Sequence, residues 1–147
     1  MCIRDSHIWN LGIGGGAYDT VFRIACEFIP YLKPQVVLLC EPPPGRIEFE
    51  LGNGQYTVIT ASNIDKTVFA KDRLIRHWFA NASNISTNLN KNRLAIKQLC
   101  QEHNTQLYVW TPRIFVQNHV DHARDLIHAG PRSQDLVTEE ILKQIKI

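Results

Sequence analysis

Gln35-Val-Val-Leu-Leu-Cys40, closed by Glu41-Pro-Pro-Pro-Gly45, is the stretch whose reading decides the fold. An unbroken apolar run from Val36 to Cys40 is what a parallel strand buried on both faces requires. The prolines cannot continue a ladder, so the strand stops there. Upstream, Tyr18 to Leu32 sets Val21, Phe22, Ala25, Phe28, Ile29 and Leu32 at helical spacing, and Pro34 ends that helix. Before it, His7 to Leu11 reads as a short apolar strand. It runs into Asn10-Leu-Gly-Ile-Gly-Gly-Gly16, a glycine-rich backbone turn. The pattern is strand, glycine turn, helix, strand.

The same alternation continues outward. Arg46 to Thr60 alternates around Gly52-Asn-Gly54 and reads as a β-hairpin set off from the main sheet. Asp65 to Phe79 has helical spacing. Asn81 to Asn92 is rich in Asn and Ser and reads as a loop and a helix start. The helix then continues to about His103, with Leu89, Leu94, Ile96 and Leu99 facing inward. Leu107 to Thr111 is a further buried strand, stopped by Pro112. A last helix starts near Pro131 and runs through Ile145, with Leu136, Val137, Ile141, Leu142 and Ile145 as its apolar stripe. Strands alternating with helices imply a parallel sheet covered on both faces, with its site at the carboxyl ends of the strands.

Composition narrows the partners. The chain has 147 residues, one domain by size. A net charge of +2 is too small to indicate nucleic acid. No apolar run is long enough to span a bilayer. No basic segment followed by an apolar one marks a secretory signal, so the location reads as cytoplasmic or open. Cys2, Cys26, Cys40 and Cys100 form no CxxC pair and read as free thiols. Met1 to Ser6 does not blend into the pattern and reads as a non-native leader. That leaves residues 7–147 as the domain, with the natural N-terminus expected upstream.

The residues with chemistry lie near the C-terminus, in Asp125-Leu-Ile-His128-Ala-Gly-Pro131. A carboxylate three residues before an imidazole can accept from Nδ1–H and leave Nε2 to act as a base. The bland alternative is a surface Asp and His beside a helix start. His119, Asp121, His122, Asp125 and His128 could instead hold a metal, but their spacing matches no zinc signature. No metal or cofactor is therefore expected. Gly12 to Gly16 offers backbone N–H groups for an oxyanion or phosphate. A dinucleotide turn would need a glycine where Asp19 stands. Arg46 is a candidate for an anionic substrate group.

Together these pieces resemble the SGNH, or GDSL-type, hydrolase superfamily. Asn10-Leu-Gly-Ile-Gly-Gly-Gly16 resembles its second block, Lys33-Pro-Gln-Val-Val-Leu-Leu39 the strand leading to its third, and Asp125-Leu-Ile-His128 with the following Gly130-Pro131 its fifth. The resemblance implies a three-layer α/β/α flavodoxin-like parallel sheet, here with the first strand missing and the hairpin as an excursion. It implies cleavage of an ester or acyl bond in a small-molecule ester or acylated glycan. His128 would be the general base, Asp125 its orienting carboxylate, and Gly15 an oxyanion-hole donor. Two features depart from the family. The Gly-Asp-Ser block is absent: Ser6 lies too close to Gly15 for a βαβ crossover to fit between them. The third-block turn, Cys40-Glu-Pro-Pro-Pro-Gly-Arg46, carries no Asn. The expected function is thus an SGNH-type serine hydrolase present without its nucleophile, and as such inactive. The alternative is a non-catalytic SGNH-like domain that binds a glycan or envelope component. The sequence leaves the oligomeric state open.

Overall fold

The computed structural model describes residues 7–67, 71–111, 120–123 and 130–145. It is a mixed α/β structure. Helix α1 spans Tyr18–Leu32, followed by strand β1, Val36–Cys40. The hairpin strands are β2, Arg46–Glu50, and β3, Tyr56–Thr60. A single 3₁₀ turn, Ile64–Lys66, precedes helices α2 (Arg73–Ala80) and α3 (Ala82–Glu102). Strand β4 is Gln106–Trp110, and the last helix, α4, is Pro131–Gln144. No helix among the described residues is long and apolar enough to cross a membrane.

Two small sheets form. β1 and β4 pair in parallel, Val36 opposite Gln106 and Cys40 opposite Trp110. β2 and β3 pair antiparallel. The parallel ladder is secured at both ends. Gln106 N–H donates to Gln35 O at 2.9 Å, and Glu41 N–H to Trp110 O at 2.7 Å. The hairpin turn needs two left-handed residues, and glycines supply them, Gly52 at φ 85° and Gly54 at φ 76°.

The core lies between α1, α3 and one face of the parallel pair. Tyr18, Ala25 and Ile29 of α1 meet Leu39 of β1 and Ile96 and Cys100 of α3. Side chains alternate along a strand. Val37, Leu39, Leu107 and Val109 face these helices. Leu38 and Cys40 therefore face the other way, where Leu38 is 50% exposed and Cys40 is also exposed.

Several expectations change. His7 to Leu11 forms no strand. β1 pairs only with β4 among the described residues, so this segment has no ladder to join, and Ile8 and Trp9 stay exposed. β1 is covered on one face rather than two. The polar stretch from Asn81 is helical from Ala82 onward, because the Asn81 side chain accepts from Ser83 N–H at 2.9 Å and caps it. Leu94 points outward, 66% exposed. In α4, Val137 is buried but Leu142 is 51% exposed.

Candidate functional site

The glycine turn is built by local hydrogen bonds. Gly16 N–H donates to Ile13 O at 3.2 Å, and Gly12 N–H to Asn10 Oδ1 at 3.1 Å. Gly15 sits at φ 79°, a left-handed conformation that disfavours any side chain. It is exposed, and its N–H makes no hydrogen bond to another described residue. The next residues enter α1, where Thr20 Oγ1 accepts from Ala17 N–H at 3.0 Å. Arg46 reaches this turn: its Nη1 donates to Gly16 O at 3.2 Å. Arg46, nominated from sequence, thus binds the carbonyl of Gly16, the residue after Gly15.

The start of α1 carries three polar side chains that sequence reasoning passed over. Tyr18, 3% exposed, donates a short hydrogen bond from its hydroxyl to Glu41, which is 8% exposed at the end of β1. Arg93 of α3 reaches the same carboxylate at 2.9 Å. Burial, then the Glu41 carboxylate, pushes the Tyr18 hydroxyl well above the usual tyrosine range. Asp19 accepts from Asn92 Nδ2 at 2.9 Å, from Asn88 Nδ2 at 3.3 Å and from Glu48 N–H at 3.3 Å. Thr20 donates to Glu48 Oε2 at 2.7 Å, and Arg23 forks onto both Glu48 oxygens at 2.9 and 3.1 Å. Burial alone would raise the Glu48 carboxyl. The bonds from Arg23 and Thr20 and the guanidinium charge outweigh it and hold it below the usual value. The Arg23 guanidinium also stacks 3.9 Å over the Tyr56 ring.

These contacts bind α1 to β1, to the hairpin and to α3. A cavity of about 10 Å³ remains beside Tyr18, Pro43, Arg46, Trp78 and Asn88, room for about one water. Asn88 and Asn92 were legible in one respect: four residues apart on a helix, they share a face.

Asp125 and His128 lie outside the described residues, as does His119. The residues flanking the pair are described. Gly130 N–H donates to Asp121 O at 2.9 Å. The Asp121 carboxylate accepts from Ser133 N–H at 2.8 Å, Arg132 N–H at 3.2 Å and the Ser133 hydroxyl at 2.6 Å. Ser133, with no exposed surface, accepts in turn from Val120 N–H at 3.0 Å and Asp121 N–H at 3.1 Å. The Ser133 hydroxyl and the N–H groups at the start of α4 hold the Asp121 carboxyl below its usual range. A metal site built on His119, Asp121 and His122 would have to take Asp121 from these donors. Among the described residues no group of three His, Cys, Asp or Glu side chains could hold a metal ion.

Comparison of the chain with protein-family models, with curated proteins and with solved structures found no match.

Proposed function

We propose that this chain carries the base and oxyanion part of a serine hydrolase of the SGNH type, acting on an ester or acyl bond of a small molecule or acylated glycan. The observation that carries the reading is the Gly15 turn. It offers an exposed N–H without a partner among the described residues, at the start of a helix, beside the guanidinium that holds Gly16. A donor of this kind stabilises the negative charge that develops on a carbonyl oxygen during acyl transfer. In this reading Asp125 orients His128. The imidazole takes the proton of a serine hydroxyl and returns it to the leaving group. Arg46 faces a polar or anionic part of the substrate. The nucleophile belongs to a Gly-Asp-Ser block that these residues do not include.

The same reading makes the β1–β4 pair part of a three-layer flavodoxin-like sheet. A second layer would cover Leu38 and Cys40. It would also give an acceptor to Trp110 Nε1, which is buried with none among the described residues.

The test is turnover of short acyl esters by the product of the full gene. His128→Ala should lower kcat by about 10⁶-fold. Unchanged turnover in that variant rejects the assignment.

One observation favours a second reading. The turn after β1 presents the Glu41 carboxylate, already engaged by Tyr18 and Arg93, where the family has an amide donor. A non-catalytic glycan- or envelope-binding domain needs no such donor. Glycan binding without ester turnover by the full-gene product would decide for it.

A further inference from the structure

We propose that the chain takes an acidic glycan, held along the exposed faces of α2 and α3 and at Arg46. The proposal rests on the hydrolase reading, which makes an acylated glycan the substrate, and adds the sign of that glycan's charge. The small net charge of the chain conceals an uneven distribution. From Arg73 to Gln101, which covers α2 and all of α3 but its last residue, there are five lysines and arginines and no Asp or Glu. All fourteen acids lie elsewhere. Two of the five cations are matched from outside: Arg76 pairs with Asp65, and Arg93 with Glu41. Arg73, Lys91 and Lys97 are exposed and form no ion pair with a described residue.

A helix face that only has to meet water is commonly built otherwise. It mixes charges of both signs, with acids three or four residues from bases. Acids in the first turn also suit the helix dipole. Neither α2 nor α3 has an acid in its first turn, and no acid lies within four residues of Lys91 or Lys97. The two helices forgo this support and keep a positive face. That face adjoins the candidate site, because Trp78 of α2 and Asn88 of α3 line the same cavity as Arg46 and the proline turn after β1. Arg46 is half-buried, and among the described residues only Gly16 O, a neutral acceptor, meets its guanidinium. Cations left without counter-charges attract an anion over a range set by salt.

The side chains of α3 favour a glycan over a nucleic acid. Single strands are held largely by aromatic rings on which bases stack. α3 contains no aromatic residue. On α2, Trp78 and Phe79 are half-buried and meet each other edge to face at 5.1 Å. The exposed amides of Asn90 and Gln101 stand near Lys91 and Lys97 instead. An amide offers donors and acceptors together, which sugar hydroxyls require. Lys91 and Lys97 lie one turn before and one turn after the exposed Leu94. This places two carboxylate partners on either side of an apolar contact for the C–H face of a sugar ring.

The test is calorimetric binding of polygalacturonate to the 147-residue chain at low and at physiological salt, with uncharged dextran and polydeoxythymidylate as comparisons. Polygalacturonate should bind, more weakly at the higher salt, and dextran should not. The double variant Lys91→Gln, Lys97→Gln should bind it about tenfold more weakly, and Arg46→Gln should weaken it too. Lys143→Gln, which removes a cation of α4 paired with Glu140, should change nothing. Equal binding of dextran, a double variant that binds as the parent does, or an equal loss in Lys143→Gln overturns the proposal. Tighter binding of polydeoxythymidylate also overturns it and assigns the face to nucleic acid. The hydrolase reading fails separately. Ester turnover by the full-gene product that survives His128→Ala rejects the catalytic pair, whereas normal turnover of short esters without polygalacturonate binding rejects only the acidic glycan.

Discussion

The contact between Tyr18 and Glu41 should matter more to stability than the ion pair between Arg93 and the same carboxylate. The reason is exposure. The Tyr18 hydroxyl and Glu41 are buried, at 3% and 8% exposure, so neither group is readily rehydrated when its partner is removed. The Arg93 side chain is 44% exposed and can turn to water. Tyr18→Phe removes a hydrogen bond to a charged acceptor, which costs about 2 kcal/mol. Arg93→Ala removes a half-exposed ion pair, which costs below about 1 kcal/mol. Urea unfolding of both variants, of Glu41→Gln and of the double variants gives each coupling, provided the slope with denaturant is unchanged. Alkaline pH adds a second signature. The Tyr18 hydroxyl is held protonated in the folded chain, by burial first and Glu41 next, but ionises near its ordinary value of about 10 in the unfolded one. Stability is then intact below pH 10 and falls above it, by at most about 1.4 kcal/mol per pH unit from this group. That part of the slope should vanish in Tyr18→Phe. If Arg93→Ala costs as much as Tyr18→Phe, the half-exposed charge pair from α3 counts as much at Glu41 as the buried hydroxyl from α1, and the reasoning is refuted.

Other expectations concern the turn, the hairpin and the start of α4. Gly15→Ala should destabilise by about 1–2 kcal/mol through its left-handed backbone alone, since a Cβ there meets nothing within 4 Å. A neutral result in thermal melts would mean the turn relaxes. Glu48 is held below the usual carboxyl range by Arg23 and Thr20 against the effect of burial. Its contribution should be present above its ordinary value of about 4.5 and be lost as pH falls below it. Glu48→Gln should flatten the acid limb of stability against pH, and an unaltered limb would count against this ion pair. Gly130→Ala should destabilise by about 1–3 kcal/mol, because Asp121 or the backbone must shift to admit the methyl group. Faster amide exchange confined to the first turn of α4 would show where the strain goes.

The parts of the fold legible in the sequence were those whose cause is local. α1, β1 and β4 follow from apolar periodicity, and the hairpin from Gly52 and Gly54. Leu94 was legible too, had the period been followed strictly. Two residues before Ile96, it lies about 200° around the helix from that buried side chain. Asn88 and Asn92 were a different matter. They face inward because Asp19 accepts from them, and Asp19 is 69 and 73 residues away. Read locally, a run of asparagines means solvent, and nothing local marks the acceptor. Glu41 was hidden the same way: it stands among prolines, and Tyr18 is 23 residues distant. The left-handed turn at Gly15 was legible from its run of glycines. The hydrogen bond from Arg46 to Gly16 spans 30 residues and was not.

The polar network at the start of α1 also limits where a base can come from. A carboxylate accepts a proton readily only if an oxygen lone pair is free and its charge is weakly compensated. Glu48 takes three bonds from Thr20 and Arg23, and Asp19 takes bonds from Asn88, Asn92 and the Glu48 N–H. Glu41 is held by Tyr18 and Arg93, and Asp121 by the first turn of α4 and Ser133. For Glu48 and Asp121 these donors stabilise the ionised form and hold the carboxyl below its usual range. These four acids are therefore braces: they tie the start of α1 to β1, the hairpin and α3, and Asp121 to the first turn of α4. In the proposed hydrolase reading, a proton transfer near neutral pH is then better assigned to an imidazole, whose unperturbed titration lies there already, than to Glu48 or Asp121.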